Sequence, residues 1–273
     1  MERVVLVDGH NLLFKMYYGI PNSILNSKGD EIKGLVGFIG SLKKLVDMFR
    51  PYCMVVVFDS ESSRNSNLDV DYMYKANRID YGRDEDNPFT QLSYIYKALD
   101  YLGIPYVEVC DNEADDYIAS FIMNNKGYLY TIVSTDTDFF QLVDRDVSVY
   151  VMNGKRSVLY DEMCVFDRYG VMPSCFVLYK ALVGDKSDNI DGIRGIGKVY
   201  ASRIARFNDI DLYINSGACF RLSKMLDDNR DLIRRNILLI TLNRSIDTLS
   251  VSKLGSKIYE KKTYEVIFDI GLK

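Results

Sequence analysis

Apolar positions along the chain follow two alternating patterns. Short unbroken runs occur at Val4 to Val7, Met54 to Phe58, Tyr106 to Val109 and Tyr128 to Val133. They are rich in β-branched or aromatic residues and of strand length. Between them the spacing changes. Leu35, Phe38, Ile39, Leu42, Leu45, Val46 and Phe49 recur with a helical period, and Phe89 to Leu102 repeats the pattern. Strands alternating with helices predict an α/β fold with a mostly parallel central sheet flanked by helices. A further strand is expected at Val147 to Met152. From Pro173 onward the pattern is helical, with a subdomain boundary near Gly184. The stretch from Ser60 to Asn87 is polar and irregular, and loops of that length in a compact domain are usually functional or disordered.

Composition narrows the class. The 273 residues are 48% hydrophobic and 26% charged, with 5 Pro and no Trp, which excludes disordered, collagen-like and low-complexity chains. The first apolar run is too short for a signal peptide, and no apolar stretch reaches the roughly 18 residues of a membrane span. A cytoplasmic protein with no membrane partner is expected. Cys53, Cys110, Cys164, Cys175 and Cys219 form no paired motif and are expected as reduced thiols in or near the core. His10, the single histidine, excludes mechanisms that need two, and is read as structural or capping.

The net charge of −4 conceals an asymmetry. Residues 1–185 carry 18 basic and 27 acidic side chains (−9), and residues 186–273 carry 16 and 11 (+5). A solvated acidic face explains such a bias equally well, so position has to decide. Asp8 follows the first strand, Asp59 the second, Glu113, Asp115 and Asp116 the third, and Asp136 and Asp138 the fourth. The C-terminal edge of an open α/β sheet is where its binding crevice lies. Carboxylates crowded there repel one another and raise one another's pKa unless divalent cations balance them. Oxygen ligands with no Cys or His cluster favour Mg²⁺ or Mn²⁺. Taken singly, Glu113 to Asp116 is also an ordinary acidic helix start. Asp185 and Asp188 add a second pair, or an Asx-turn cluster.

The segment Gly192 to Val199 approaches a phosphate-binding loop, but Val199 stands where Ser or Thr would bind Mg²⁺, and no strand precedes it. A hairpin between helices fits better. Its glycines would let backbone N–H groups approach a DNA phosphate, with Lys198 adding charge and Arg203 and Arg206 following. The basic end, Lys253 to Lys262, is either a further backbone contact or a solvated face.

Eight pieces in order carry a resemblance. They are Val7-Asp8-Gly9, Val57-Phe58-Asp59, Tyr74-Lys75-Ala76-Asn77-Arg78, Gly103-Ile104-Pro105, Glu113-Ala114-Asp115-Asp116, Ser134 to Asp138, Gly184 to Ile190, and Gly192 to Lys198. Over about residues 4 to 210 the chain resembles the structure-specific 5′ nucleases. These include the N-terminal 5′ nuclease domain of bacterial DNA polymerase I and the stand-alone flap endonucleases of bacteria and their viruses. The resemblance implies a PIN-like 5′ nuclease fold with a helical arch and a C-terminal helix-hairpin subdomain. The catalytic domain would span 1–183, with its arch at about 60–88, and the hairpin subdomain 184–273.

It further implies that Asp8, Asp59, Glu113, Asp115, Asp116, Asp136, Asp138, Asp185 and Asp188 line a site for two Mg²⁺ ions. Lys75 and Arg78 would act on the scissile phosphate together with the metal-bound chemistry at Asp8 and Asp116. Lys15, Arg64, Tyr74, Gly192, Gly195, Gly197 and Lys198 would contact DNA, and a K⁺ ion is a further candidate at the hairpin. The substrate would be a 5′ flap or a nicked or branched duplex, cut by a monomer.

Two departures stand out. Ile79 to Asn87, with Asp80, Asp84, Glu85 and Asp86, lengthen the arch, and Lys15 stands where relatives often carry Arg. No polymerase region follows, which points to a stand-alone nuclease. The rival readings are a non-catalytic module that binds DNA junctions and a PIN-type ribonuclease.

Overall fold

The computed structural model describes residues 1–60, 87–254, 258 and 261–272. Contacts divide these into two compact units. The first holds residues 1–60, 87–135 and the described residues from Arg244 onward, and the second holds residues 136–243. The boundary expected near Gly184 therefore falls inside the second unit.

In the first unit, β1 (Arg3–Asp8), β2 (Cys53–Asp59), β3 (Tyr106–Val109) and β4 (Leu129–Val133) run parallel in the order β3-β2-β1-β4. Val4 to Val7 and Cys53 to Phe58 are buried along their whole length, as parallel strands covered on both faces must be. The register pairs Asp8 with Val57 and Asp59 with Val109, so both carboxylates sit at the C-terminal edge.

The chain turns from β1 straight into α1 (Gly9–Gly19), with Asp8 as its cap. A side chain at Gly9 would strike the Phe58 ring at 2.4 Å, so that turn requires glycine. The faces of α2 (Lys33–Phe49) and α3 (Leu92–Leu102) bury Leu35, Phe38, Ile39, Leu42 and Leu45, and Ile95, Leu99 and Leu102. The helix expected from Phe89 begins instead as a 3₁₀ turn over Pro88–Gln91, where proline supplies the opening φ. The helix α4 (Ala114–Asn124) follows β3.

The chain end is bound along α4. Tyr117 Oη accepts the Leu249 N–H at 3.1 Å, Ser120 Oγ that of Ile246 at 3.0 Å, and Asn125 Oδ1 that of Val251 at 2.9 Å. Asn125 Nδ2 donates to the Leu249 carbonyl at 3.0 Å. These side chains give the irregular segment the backbone partners that a strand would otherwise provide.

In the second unit, β5 (Val147–Val151) pairs antiparallel with β6 (Val158–Tyr160). The helices α5 (Glu162–Tyr169) and α6 (Phe176–Val183) follow. Here the expectation of an all-helical run needs correction. Gly184–Asp185 and Ile190–Asp191 form a two-residue antiparallel ladder before α7 (Lys198–Ala205), α8 (Ile210–Asn215), α9 (Phe220–Asp228) and α10 (Arg230–Ile240).

Glycine explains the ladder. Gly184 has φ +83°, and a side chain on Gly192 would meet the Val183 carbonyl oxygen at 2.1 Å. The fully buried Asn236 of α10 ties the ladder down, donating to the carbonyls of Ala181 at 2.9 Å and Asp191 at 2.8 Å. Cys53 and Cys175 are buried as expected. Cys110, just past β3, is exposed, which corrects its placement near the core.

Candidate metal centre

In the first unit the five carboxylates are half-buried, and neutral donors reach two of them. Asp8 Oδ1 accepts the Asn11 N–H at 3.1 Å and Asp8 Oδ2 the Ser134 hydroxyl at 2.8 Å. Asp59 Oδ1 accepts the Ala114 N–H at 2.8 Å, which brings it to the start of α4, where Glu113, Asp115 and Asp116 lie. Helix N-termini favour negative charge, so this edge tolerates several carboxylates. His10 does more than fill space. Its Nδ1 lies 3.4 Å from Asp59 Oδ2, and its ring stands edge-on between Phe58 and Phe89.

The second unit builds its group differently. Asp138, Asp185 and Asp188 bring carboxylate oxygens within 4.8 Å of one another. Asp138 and Asp188 are buried, and the Asp138 N–H donates to Asp136 Oδ1 at 2.8 Å. Asp185 ends the first strand of the ladder, and Asp188 lies in its short loop. Asp185 Oδ1 accepts the Ser187 N–H at 2.8 Å, so Asp185 forms an Asx turn.

Lys180 of α6, 5% exposed, reaches into this group. It pairs with Asp138, and its Nζ lies 2.5 Å from Asp185 Oδ2. Sequence reasoning missed it because it sits in an apolar helical run and belongs to no motif.

The electrostatics of the second group follow from burial and charge. Burial works against the Lys180 ammonium, but Asp138, Asp136 and Asp185 outweigh it and hold it above its ordinary value. Burial also opposes ionisation of Asp185, and Lys180 outweighs it, holding that carboxyl low. Asp138 is pushed up to about 7, by burial first and then by Asp136, against the pull of Lys180. Asp136 and Asp188 both act on Asp138 with like charge, a crowding that a divalent cation would relieve. The donor set, all carboxylate oxygen, fits a hard divalent ion.

The glycine-rich loop divides in function. Gly192 is pressed against Val183, and its missing side chain makes room for the protein's own backbone. Gly195, at φ +89°, is exposed. Gly197 caps α7 with nothing within 4 Å of where its side chain would project, and Lys198 opens that helix in solvent. Arg203 is exposed, whereas Arg206 is engaged: its Nε donates to the Gly170 carbonyl at 2.7 Å and its guanidinium lies over Phe166. Lys15 is half-buried on α1. Arg64, Tyr74, Lys75 and Arg78 lie outside the described residues.

Residues 3–170 match the family of 5′–3′ exonuclease N-terminal, resolvase-like domains. The chain belongs to this family. DNA polymerase I of Thermus thermophilus is 31% identical over 270 residues, covering 97% of this chain and 30% of that protein. DNA polymerase I of Deinococcus radiodurans is 36% identical over 207 residues, 74% of this chain and 20% of that one. The chain thus spans less than a third of the length of these DNA polymerase I relatives.

Among solved structures, the flap endonuclease of bacteriophage T5, captured with DNA and metal ions, superposes with a TM-score of 0.70 at 22% identity. That match covers 88% of this chain and 89% of that one. Flap endonuclease-1 of Methanococcus jannaschii gives 0.58 at 13% identity, over 98% and 85%. At such identities the likeness establishes a shared fold, the mostly parallel sheet flanked by helices expected from the sequence. Among the described residues no helix is long and apolar enough to cross a membrane.

Proposed function

We propose that the chain is a divalent-metal-dependent, structure-specific 5′ nuclease that hydrolyses DNA phosphodiesters at 5′ ends and 5′ flaps. One observation carries the reading: in a member of the 5′–3′ exonuclease family, Asp138, Asp185 and Asp188 gather their oxygens within 4.8 Å in a largely buried setting. Mg²⁺ is the proposed ion, with Mn²⁺ able to replace it, because both are hard and prefer carboxylate oxygen. Such ions supply a water acidic enough to ionise near neutral pH and charge to balance the leaving oxygen.

The chain's own part is to hold ligands still. Ser134 and the Asn11 N–H fix Asp8, and the Ala114 N–H fixes Asp59, so their geometry does not have to be assembled during the reaction. Glu113, Asp115, Asp116 and Asp136 are proposed as the remaining carboxylates. On family resemblance, Lys75 and Arg78 are assigned to charge developing on the phosphate, and Lys15, Arg64 and Tyr74 to DNA. Gly195, Gly197 and Lys198 would present N–H groups and charge to the duplex backbone, with K⁺ as a further ion there. That the bacteriophage T5 enzyme was captured with DNA and metal ions supports the choice of substrate.

The test is cleavage of a 5′-labelled flap duplex and a matching single-stranded RNA, each with Mg²⁺ and with chelator. Mg²⁺-dependent cutting of the DNA near the junction is expected. Binding without cutting would assign a non-catalytic junction-binding module, and cutting of the RNA alone a PIN-type ribonuclease.

A further inference from the structure

We propose that Lys180 is a built-in counter-ion of the second carboxylate group, and that a divalent ion entering between Asp138, Asp185 and Asp188 displaces its ammonium. The inference rests on reading those carboxylates as metal ligands.

Every other buried member of α6, namely Phe176, Leu178, Tyr179, Ala181 and Leu182, is apolar, so Lys180 is carried into the interior on a hydrophobic helix. An ammonium with 5% of its residue exposed is unfavourable there unless carboxylates pair with it. Lys180 meets that condition twice, with Asp138 Oδ1 and Asp185 Oδ2. Both partners belong to the set of three whose oxygens are close enough to share a cation. Ammonium and metal therefore draw on the same carboxylate lone pairs.

Without an ion, the lysine keeps the carboxylates together and limits their repulsion. With one, its charge opposes the incoming cation and lowers its affinity. The arrangement makes the fold of this loop independent of metal and makes its metal binding weak.

The test compares the parent protein with Lys180→Met by thermal unfolding, with and without Mn²⁺. The variant is expected to melt below the parent when metal is absent. Mn²⁺ is expected to raise its Tm by at least about 3 °C more than it raises the parent's, the size of a roughly tenfold tighter site in a chain of this length. An equal Mn²⁺ gain in both proteins would overturn the assignment.

If Lys180→Met fails to fold at any Mn²⁺ concentration, the double variant Lys180→Met with Asp185→Asn decides. Recovery of folding without metal supports the counter-ion, because one charge of each sign has been removed, and continued failure overturns it. A parent whose Tm ignores Mn²⁺ and which shows no metal-dependent cleavage would sink the metal reading itself. A responsive parent with an equally responsive variant would sink only the role of Lys180.

Discussion

The two carboxylate groups of this chain solve one electrostatic problem in different ways. At the sheet edge of the first unit, the acidic residues stay half-exposed, and neutral donors orient two of them: Ser134 and the Asn11 N–H hold Asp8, and the Ala114 N–H holds Asp59. In the second unit, Asp138 is buried, solvent does little screening, and Lys180 sets a full positive charge against it and against the half-buried Asp185. The contrast teaches that exposure sets the kind of partner. A carboxylate at a wet edge needs orientation, and a buried one needs a counter-charge.

The sharpest way to break the comparison is Asp116→Asn in the first group. Flap cleavage is expected to fall to background while DNA binding persists, as measured by turnover and by a mobility shift on one substrate. Retained turnover would remove the first group from the metal site. Next comes Gly192→Ala. A methyl 2.1 Å from the Val183 carbonyl oxygen forces the ladder apart, with a cost of about 3 kcal/mol or more, read as a lower Tm together with loss of cleavage as Asp185 and Asp188 move. An unshifted Tm would mean that the close approach is not needed.

Ser134→Ala removes the donor that orients Asp8. The Mg²⁺ concentration for half-maximal cleavage is expected to rise by roughly 10- to 100-fold with little change in Tm. An unchanged metal requirement would show that Asp8 orients itself. The smallest effect is expected for Lys198→Ala, away from both groups. It should weaken duplex binding modestly and reduce the slope of log affinity against log salt by about one, the share of a single phosphate contact. A constant slope would take Lys198 off the DNA backbone.

Much of the first unit was legible from residues alone. β-Branched runs marked its strands, the spacing of Leu35, Phe38, Leu42 and Leu45 marked a helix face, and strand ends located Asp8 and Asp59, because each of these signals is local. What escaped depends on chain segments meeting at a distance. Lys180 sits in an apolar run whose pattern says only that it is buried, and its partners lie up to 42 positions away. The close packing of Gly192 on Val183 escaped because a glycine that admits a ligand and one that admits the protein's own backbone read alike. The contacts of Arg206 with Gly170 and Phe166 escaped as well, since they join residues some 36 and 40 positions apart. The segment after Arg244 carries no motif, yet Tyr117, Ser120 and Asn125 fasten it to α4 through hydrogen bonds spanning more than a hundred positions.

The most direct test counts bound ions. Mn²⁺ stoichiometry should be measured on the parent, on Asp116→Asn and on Asp188→Asn, with flap cleavage followed on the same samples. Two ions are expected on the parent, fewer on each variant, and cleavage lost in both. Unaltered stoichiometry in both variants, or full cleavage by either, would contradict the assignment of these carboxylates to a metal-dependent nuclease site.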